Sequence, residues 1–230
     1  MHWFYDPDFK PSTSTIGKSE MVHFKSLRIR AQEEVVVTDG KGMAYTCEVL
    51  DPKSGELTVI STEQKKRPAL QIHLVQALAK GDRDEQAVQA SVELGVTSIT
   101  PWQSELSIVN WTGKEEKGRN RWQEIAISAM KQSQQAFLPV VNPVQTTKGL
   151  KSNGFGLVLD PRASTSIGQI SESLDEFTIV VGPEGGIPVS ELEQLKKAGF
   201  EPIKMGDSIL RTSTAGPAAI AAIFTKLHIW

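Results

Sequence analysis

The sequence predicts an α/β protein in which a small amino-terminal β-barrel precedes a larger domain built on a parallel sheet. Beyond residue 68, short apolar runs alternate with amphipathic helical patterns, as in a parallel sheet covered on both faces. Before residue 62, short β-branched runs are separated by glycine-containing turns at hairpin spacing, which is typical of a small barrel. A polar, proline-ended segment separates the two patterns, so the predicted domains are residues 1–66 and 67–230.

The first domain is expected to contain three strands, at residues 34–38, 43–50 and 56–61. Residues 39–42 read Asp-Gly-Lys-Gly, which is hairpin-turn chemistry because glycine tolerates positive φ angles. Lys25, Arg28 and Arg30 alternate along a further predicted strand, where they would be available to contact phosphate. The single cysteine, Cys47, lies in the second strand and is expected to be a buried small hydrophobic residue.

The second domain is expected to alternate strands and helices. The strands are predicted at residues 69–78, 96–101, 156–160, 177–182 and 201–205, and two helices at 120–137 and 214–228. Two more helices are predicted, one capped by Asp82 with Glu85 and ended by Gly95, the other capped by Ser190 with Glu193 and ended by Gly199. Both starts match the capping box, and both ends place glycine where a helix terminates in a left-handed conformation.

The composition excludes several classes of protein. The 230 residues include 25 Lys and Arg against 27 Asp and Glu, too few cations for a general nucleic-acid coat. One cysteine cannot form an intrachain disulfide or a cysteine-cluster zinc site, and the four histidines are too scattered for a metal site. The first ten residues lack the apolar core of a signal peptide, and the longest apolar run, residues 215–224, is about half of a membrane span. A cytoplasmic protein without a metal is therefore expected.

The sharpest motif is Gly-Pro-Glu-Gly-Gly at residues 182–186, which follows a predicted buried strand and precedes a predicted helix. Ligands of open parallel sheets bind at the carboxyl ends of strands, and glycines let the backbone approach a ligand closely. An ordinary strand-to-helix turn explains this segment equally well.

A second segment of the same character leads into the last helix. Gly206 allows a tight turn, and Thr212, Ser213 and Thr214 are candidates for the helix N-cap. Arg211 places a cation at a helix start, where the macrodipole disfavours it, so it hints at an anionic or polar partner. Neither segment matches a phosphate loop or the dinucleotide-binding fingerprint.

Residues 113–151 are locally basic, with seven lysines and arginines against three glutamates. Trp111 and Trp122 lie in or beside this region, and basic residues interleaved with aromatic ones suit RNA. Arg119, Arg121 and Lys131 are the candidate RNA contacts, and a solvated helix face is the alternative explanation.

Taken together, these segments resemble the SPOUT superfamily of RNA methyltransferases. The resemblance extends over nearly the whole chain and is most specific at residues 181–186 (Val-Gly-Pro-Glu-Gly-Gly) and 209–212 (Ile-Leu-Arg-Thr). Further matching positions are 27–28, 39–40, 88–89, 93–96, 101, 104–105, 132–133, 139 and 214–215. The resemblance implies a deep trefoil knot in the second domain, a PUA-like fold for the barrel and RNA binding by that barrel.

The resemblance also implies a function: transfer of a methyl group from S-adenosylmethionine to N3 of a uridine in the 16S RNA of the small ribosomal subunit. It implies a homodimer with the last helix at the interface. Carried over by position, the cofactor contacts would be Leu159, Gly182, Glu184, Gly185, Met205, Gly206, Leu210 and Arg211. Arg211 would stabilise the negative charge that develops on the uridine, and Glu184 is the nearest candidate proton acceptor. Binding a cofactor hydroxyl or a backbone N–H is the alternative role of Glu184.

Several charged positions of the family pattern are lost in this chain, at Ala90, Leu106, Gln135, Ser208 and Ser213. Their loss keeps two other hypotheses open. One is an RNA-binding module with a vestigial methyltransferase site, and the other is an α/β enzyme that binds a different adenine-containing ligand in the same glycine-rich crevice.

Overall fold

The computed structural model describes residues 1–12 and 14–230. The strands are β1 (His2–Tyr5), β2 (Glu34–Thr38), β3 (Met43–Asp51), β4 (Glu56–Gln64), β5 (Gln71–Ala77), β6 (Ser98–Gln103), β7 (Val140–Val141), β8 (Gln145–Thr146), β9 (Phe155–Leu159), β10 (Glu176–Val181) and β11 (Phe200–Ile203). The helices are α1 (Lys18–Ser26), α2 (Arg83–Glu93), α3 (Glu115–Gln132), α4 (Val189–Lys197) and α5 (Thr212–Lys226). Short 3-10 turns lie at Thr147–Gly149 and Ile167–Gln169.

The chain divides into two compact units. The first comprises Met1–Pro68 together with Ile127–Leu138, and the second comprises Ala69–Ala126 and Pro139–Trp230. The sequence-based division at residue 66 did not anticipate that Ile127–Leu138 belongs to the first unit. The last six residues of α3 lie in this segment.

The first unit contains a four-stranded sheet in the order β1-β2-β3-β4, in which β1 runs parallel to β2 and the other neighbours are antiparallel. The hairpin of β2 and β3 is confirmed: the Asp39 carboxylate accepts the N–H groups of Lys41 (2.7 Å) and Met43 (3.0 Å), and Gly40 has a φ of 71°. Cys47 is fully buried as expected, and burial raises the pKa of its thiol to about 12, so it stays protonated and unreactive.

The second unit is built on a parallel sheet, which confirms the predicted α/β class. Its path is β11-β9-β10-β5-β6-β7, with β8 paired to β6. The central strand β10 is buried along almost its whole length, because a doubly covered strand has no solvent face and therefore reads as a continuous apolar run. Since all of these strands are parallel, the carboxyl ends of β9, β10 and β5 meet at one edge.

Several local predictions are wrong. Residues 18–26 form helix α1, with Glu20 and Phe24 buried one turn apart, so Lys25 lies on a helix. Arg28 has a left-handed φ of 53°, and the expected strand carrying Lys25, Arg28 and Arg30 does not form. Helix α3 begins five residues earlier and ends five residues earlier than expected, and Gln134 beyond its end takes a left-handed φ of 58°.

For α2 and α4 the predicted ends are confirmed. Helix α2 also begins directly after its predicted N-cap position, Asp82, but the start predicted for α4 at Ser190 is wrong. Gly95 and Gly199 follow α2 and α4 with φ angles of 87° and 92°, as glycine at that position should. Asp82 precedes α2 in a left-handed conformation without a side-chain cap, and Pro188, not Ser190, is the N-cap of α4. Within the described part of the chain, no helix is long and apolar enough to cross a membrane.

Candidate functional site

A cavity of about 340 Å³ opens at the carboxyl ends of β9 and β10. Its walls come from three loops, which follow β9, follow β10 and precede α5. The lining residues are Arg83, Leu159, Asp160, Pro161, Arg162, Val181, Gly182, Pro183, Glu184, Gly186, Ile187, Ile209, Leu210, Arg211, Thr212 and Ala215. An adjoining space of about 60 Å³ shares Leu159 and Leu210 and adds Met205, Gly206 and Ser208.

The cavity brings together seven of the eight predicted cofactor residues. Gly185 is the exception, because it lines neither space. A methyl carbon built on Gly185 would lie 3.0 Å from Cβ and 3.2 Å from the carbonyl oxygen of Leu106. The missing side chain at Gly185 therefore makes room for the segment after β6, and the other two glycines of this turn, Gly182 and Gly186 (φ 77°), line the cavity.

A buried hydroxyl joins two of the cavity loops. The Thr212 hydroxyl donates to the carbonyl oxygen of Gly182 (2.9 Å) and accepts a hydrogen bond from Nε2 of Gln76 on β5 (2.8 Å). Thr212 is the first residue of α5, and the N-cap is Arg211, which makes no side-chain capping bond. The expected N-cap role of Thr212, Ser213 or Thr214 is wrong, and the Thr212 hydroxyl fixes the distance between the loops instead.

Glu184 is anchored through one of its carboxylate oxygens. Its Oε1 accepts the backbone N–H of Lys80 (3.2 Å) and a hydrogen bond from Nη1 of Arg83 (3.1 Å). Lys80 lies between β5 and α2, and Arg83 is the first residue of α2; the sequence pattern singled out Asp82 and Glu85 in this region but neither of these two residues. The second oxygen, Oε2, makes neither of these bonds.

Asp160 and Arg162 form a fixed pair at the cavity wall. The Arg162 guanidinium donates to both Asp160 oxygens (2.9 and 3.0 Å) and to the Ile187 carbonyl oxygen (3.0 Å). Burial by itself raises the pKa of Asp160, but the hydrogen bonds and charge of Arg162 outweigh it and hold that pKa below its ordinary value. The sequence signal was the Asp-Pro-Arg that directly follows the strand β9.

Arg211 lines the cavity, and no acidic partner of its guanidinium is found among residues 1–12 and 14–230. Of the three arginines at the cavity, Arg83 is held by Glu184 and Arg162 by Asp160. Arg211 is thus the cation that remains available to an anionic ligand group.

The predicted RNA contacts differ in availability. Lys25, Arg28 and Arg30 are exposed in the first unit. Lys131 is committed to Glu20, with Nζ 2.8 and 2.9 Å from the two carboxylate oxygens, and its side chain is only 13% exposed. A lysine held in this way has little freedom to reach phosphate.

The two cations of α3 in the second unit are also engaged. Nε of Arg119 donates to the carbonyl oxygen of Val141 (2.9 Å), and Arg121 makes a bidentate pair with Glu85 (3.1 and 3.0 Å). Trp111 and Trp122 are buried against each other, with ring centroids 5.1 Å apart, so the indole faces serve the core and are not stacking platforms.

Known proteins share this architecture. A family model described as an RNA methyltransferase domain matches residues 65–224. The ribosomal RNA small subunit methyltransferase E of Mycobacterium bovis is 33% identical over 215 residues, covering 88% of this chain and 82% of the relative. The enzyme of the same name from Aquifex aeolicus is 29% identical over 94% of this chain and 95% of its own.

A solved structure has the same fold. The crystal structure of a ribosomal RNA small subunit methyltransferase E from Neisseria gonorrhoeae, bound to S-adenosyl methionine, superposes with a TM-score of 0.87. It shares 34% identity and covers 98% of this chain and 97% of its own. The chain therefore belongs to the RNA methyltransferase family that contains the ribosomal RNA small subunit methyltransferases E.

Proposed function

We propose that this protein transfers a methyl group from S-adenosylmethionine to N3 of a uridine in the 16S RNA of the small ribosomal subunit. The observation that carries the proposal is the cavity at the carboxyl ends of β9 and β10, where both glycine-containing loops meet an unpaired arginine. Membership of a family whose named members methylate small-subunit RNA supports the substrate class.

The residues present suit this cofactor. The two adjoining spaces, about 340 and 60 Å³, are of the size that small-molecule sites have. Gly182 and Gly186 line the larger space without side chains, and a side chain at Gly206 would meet nothing within 4 Å, so open room borders that backbone. Leu159, Met205 and Leu210 would enclose the apolar faces of an adenine, while backbone groups hold its edges.

S-adenosylmethionine, when bound, supplies an electrophilic methyl group. The uridine N3 must lose its proton, and negative charge then spreads to the neighbouring carbonyl oxygens. Arg211 stabilises that charge, because its exposed guanidinium lines the cavity without an acidic partner among the described residues, and a cation acts most strongly where charge develops. Glu184 has a binding role. Its Oε1 is fixed by Lys80 and Arg83, and its Oε2 would accept a hydrogen bond from a hydroxyl of the cofactor.

The proposal has further parts. We infer that the loops around residues 182–187 and 206–212 belong to a trefoil knot, since Thr212 ties them at the core of the second unit. We also infer that the four-stranded unit is a PUA-like RNA-binding barrel that presents Lys25, Arg28 and Arg30 to phosphate. A ribosomal substrate would place the reaction in the cytoplasm.

A homodimer is the remaining part, with α5 at the interface. Several small or apolar residues of α5 are incompletely buried within one chain, among them Pro217, Ala218, Ala221 and Ala222. Light scattering at micromolar concentration should therefore report twice the chain mass. A monomer with full activity on RNA would remove this part of the proposal.

The decisive experiment measures transfer of a radiolabelled methyl group onto small ribosomal subunits from cells that lack the endogenous enzyme. Nuclease digestion and mass spectrometry should locate the label as 3-methyluridine. Calorimetry with S-adenosylmethionine distinguishes the outcomes: cofactor binding without transfer indicates an RNA-binding module with a vestigial site, and no cofactor binding indicates a different ligand.

A further inference from the structure

A second groove, of about 610 Å³, lies between the amino-terminal ends of α2 and α3 and has no role in the function proposed above. We call it the α2–α3 groove. One wall carries the acidic residues Asp82, Asp84 and Glu85, the opposite wall carries Lys114, Lys117 and Arg121, and the floor includes Ala79, Val109, Trp111 and Trp122. A groove with one acidic and one basic wall suits a ligand that is itself dipolar.

The basic wall is formed by the start of α3 and the residue before it. Lys114 directly precedes α3, and Lys117 and Arg121 lie four residues apart on one side of the helix; all three are exposed. Arg121 is paired with Glu85 across the groove. Within the described residues, Lys114 and Lys117 have no acidic side chain as a partner, so these two cations remain available.

The acidic wall is positioned by the start of α2. Asp84 is buried, and its two oxygens accept the N–H groups of Ala79 (3.1 Å) and Glu85 (2.8 Å). Asp82 stands before the helix in a left-handed conformation, exposed and without a capping bond, so its carboxylate is free to accept hydrogen bonds from a ligand.

The floor is rigid and apolar. The indoles of Trp111 and Trp122 pack edge to face, and Gly118 lies so close that a methyl carbon there would be 2.5 Å from the Trp111 ring. Together with Ala79 and Val109, these two largely buried rings give the groove an apolar lining without an exposed stacking platform.

The groove adjoins the cofactor cavity through one short segment. Residues 79–84 contribute Ala79, Asp82 and Asp84 to the groove and Arg83 to the cavity. The Lys80 N–H and the Arg83 side chain of the same segment hold Glu184 at the cavity. The groove and the cavity are therefore neighbours along this segment, and a polymer that crosses the segment would contact both.

We propose that the α2–α3 groove binds a nucleotide flanking the methylated uridine, with its phosphate at Lys114 and Lys117 and its base edge at Asp82. Lysines bind phosphate through charge, and carboxylates accept hydrogen bonds from the amino groups of bases. Cytosine, adenine and guanine each present an amino group to Asp82, whereas uracil offers only its N3–H, so the flanking base is expected to be one of the first three. This inference rests on the proposed function, because it takes the substrate to be a single RNA strand.

The phosphate part is tested with the double variant Lys114→Ala/Lys117→Ala, assayed for methyl transfer to unmethylated small subunits. We expect KM to rise about tenfold with kcat little changed, and the slope of log affinity against log salt to fall by about 2, roughly one per lysine. Lys197→Ala, an exposed lysine of α4 outside the groove, is the matched control. A KM and salt slope equal to those of the control overturn the assignment.

The base part is tested by fluorescence anisotropy with single-stranded 12-mers of cytidine, adenosine and uridine. We expect the wild type to bind the cytidine and adenosine oligomers about tenfold more tightly than the uridine oligomer, and Asp82→Ala, which removes the acceptor, to abolish that preference. Equal binding of the three oligomers by the wild type overturns the base assignment. Oligomer binding needs no methyl transfer, so this result is independent of the proposed activity. If the proposed activity itself is wrong, the wild type will transfer no labelled methyl group to small ribosomal subunits.

Discussion

The Thr212 hydroxyl should be worth several times an ordinary side-chain hydrogen bond, because it satisfies two buried partners at once. Thr212→Val keeps the shape of the side chain but leaves the Gly182 carbonyl oxygen without this donor and Nε2 of Gln76 with only one of its two acceptors, the carbonyl oxygen of Ala77. Gln76 is fully buried, and its Oε1 already has no hydrogen-bond partner, so the amide has little to gain by rotating.

The expected loss follows from these two bonds. Each net hydrogen bond contributes about 1 kcal/mol, and an unsatisfied buried group costs about 1–3 kcal/mol, so Thr212→Val should lower the free energy of unfolding by about 2–4 kcal/mol. Urea denaturation followed by tryptophan fluorescence measures this change, since Trp102 is fully buried in the same unit. With a urea slope of about 2–3 kcal/mol/M, the midpoint should fall by roughly 1 M.

Two further variants isolate the hydroxyl. Thr212→Ser keeps the donor and acceptor and should lose much less stability than Thr212→Val. Ser213→Ala alters the neighbouring residue of the same helical turn and should change the free energy of unfolding by no more than about 0.5 kcal/mol. If Thr212→Val is as stable as Ser213→Ala, the Gln76–Thr212–Gly182 connection does not stabilise the two loops and this reasoning is refuted.

Three other variants have defined outcomes. Arg211→Ala should lower kcat about 10²–10³-fold with little change in the dissociation constant of S-adenosylmethionine. Single-turnover rates at saturating RNA measure this effect. A normal rate in the variant would mean that Arg211 only contacts an RNA phosphate. Gly118→Ala should destabilise the protein by about 1–3 kcal/mol in thermal or urea denaturation, although alanine normally favours a helix, because the added carbon would lie 2.5 Å from the Trp111 ring. Arg162→Met should lower stability at neutral pH. The pKa of Asp160 is depressed in the folded protein, so the stability contributed by its ionised form is present above the unfolded pKa and is lost as pH falls through the folded pKa. The difference between wild type and Arg162→Met should therefore shrink with acidification, and a difference that grows would contradict the assigned pair.

The sequence by itself determined the parallel sheet and the two glycine-containing loops that line the cavity. Strand β2 was predicted at its observed bounds, and Gly95 and Gly199 were predicted to end their helices. These features depend on the periodicity of neighbouring residues and on the conformations that glycine allows, both of which are local properties. The glycine-containing loops after β10 and before α5 could be recognised for the same reason.

Only the tertiary structure decided which charged groups are available. Lys131 is neutralised by Glu20 and Arg121 by Glu85, residues 111 and 36 positions away in the sequence, while Arg211 and Lys117 have no such partner in the described chain. The same holds for the anchoring of Glu184 by Arg83, 101 positions away. The residues next to a charged residue in the sequence do not indicate its partner, because ion pairs form when distant segments fold onto one another. Which charged groups at the cavity are free to bind a ligand therefore depends on contacts between residues that are far apart in the sequence.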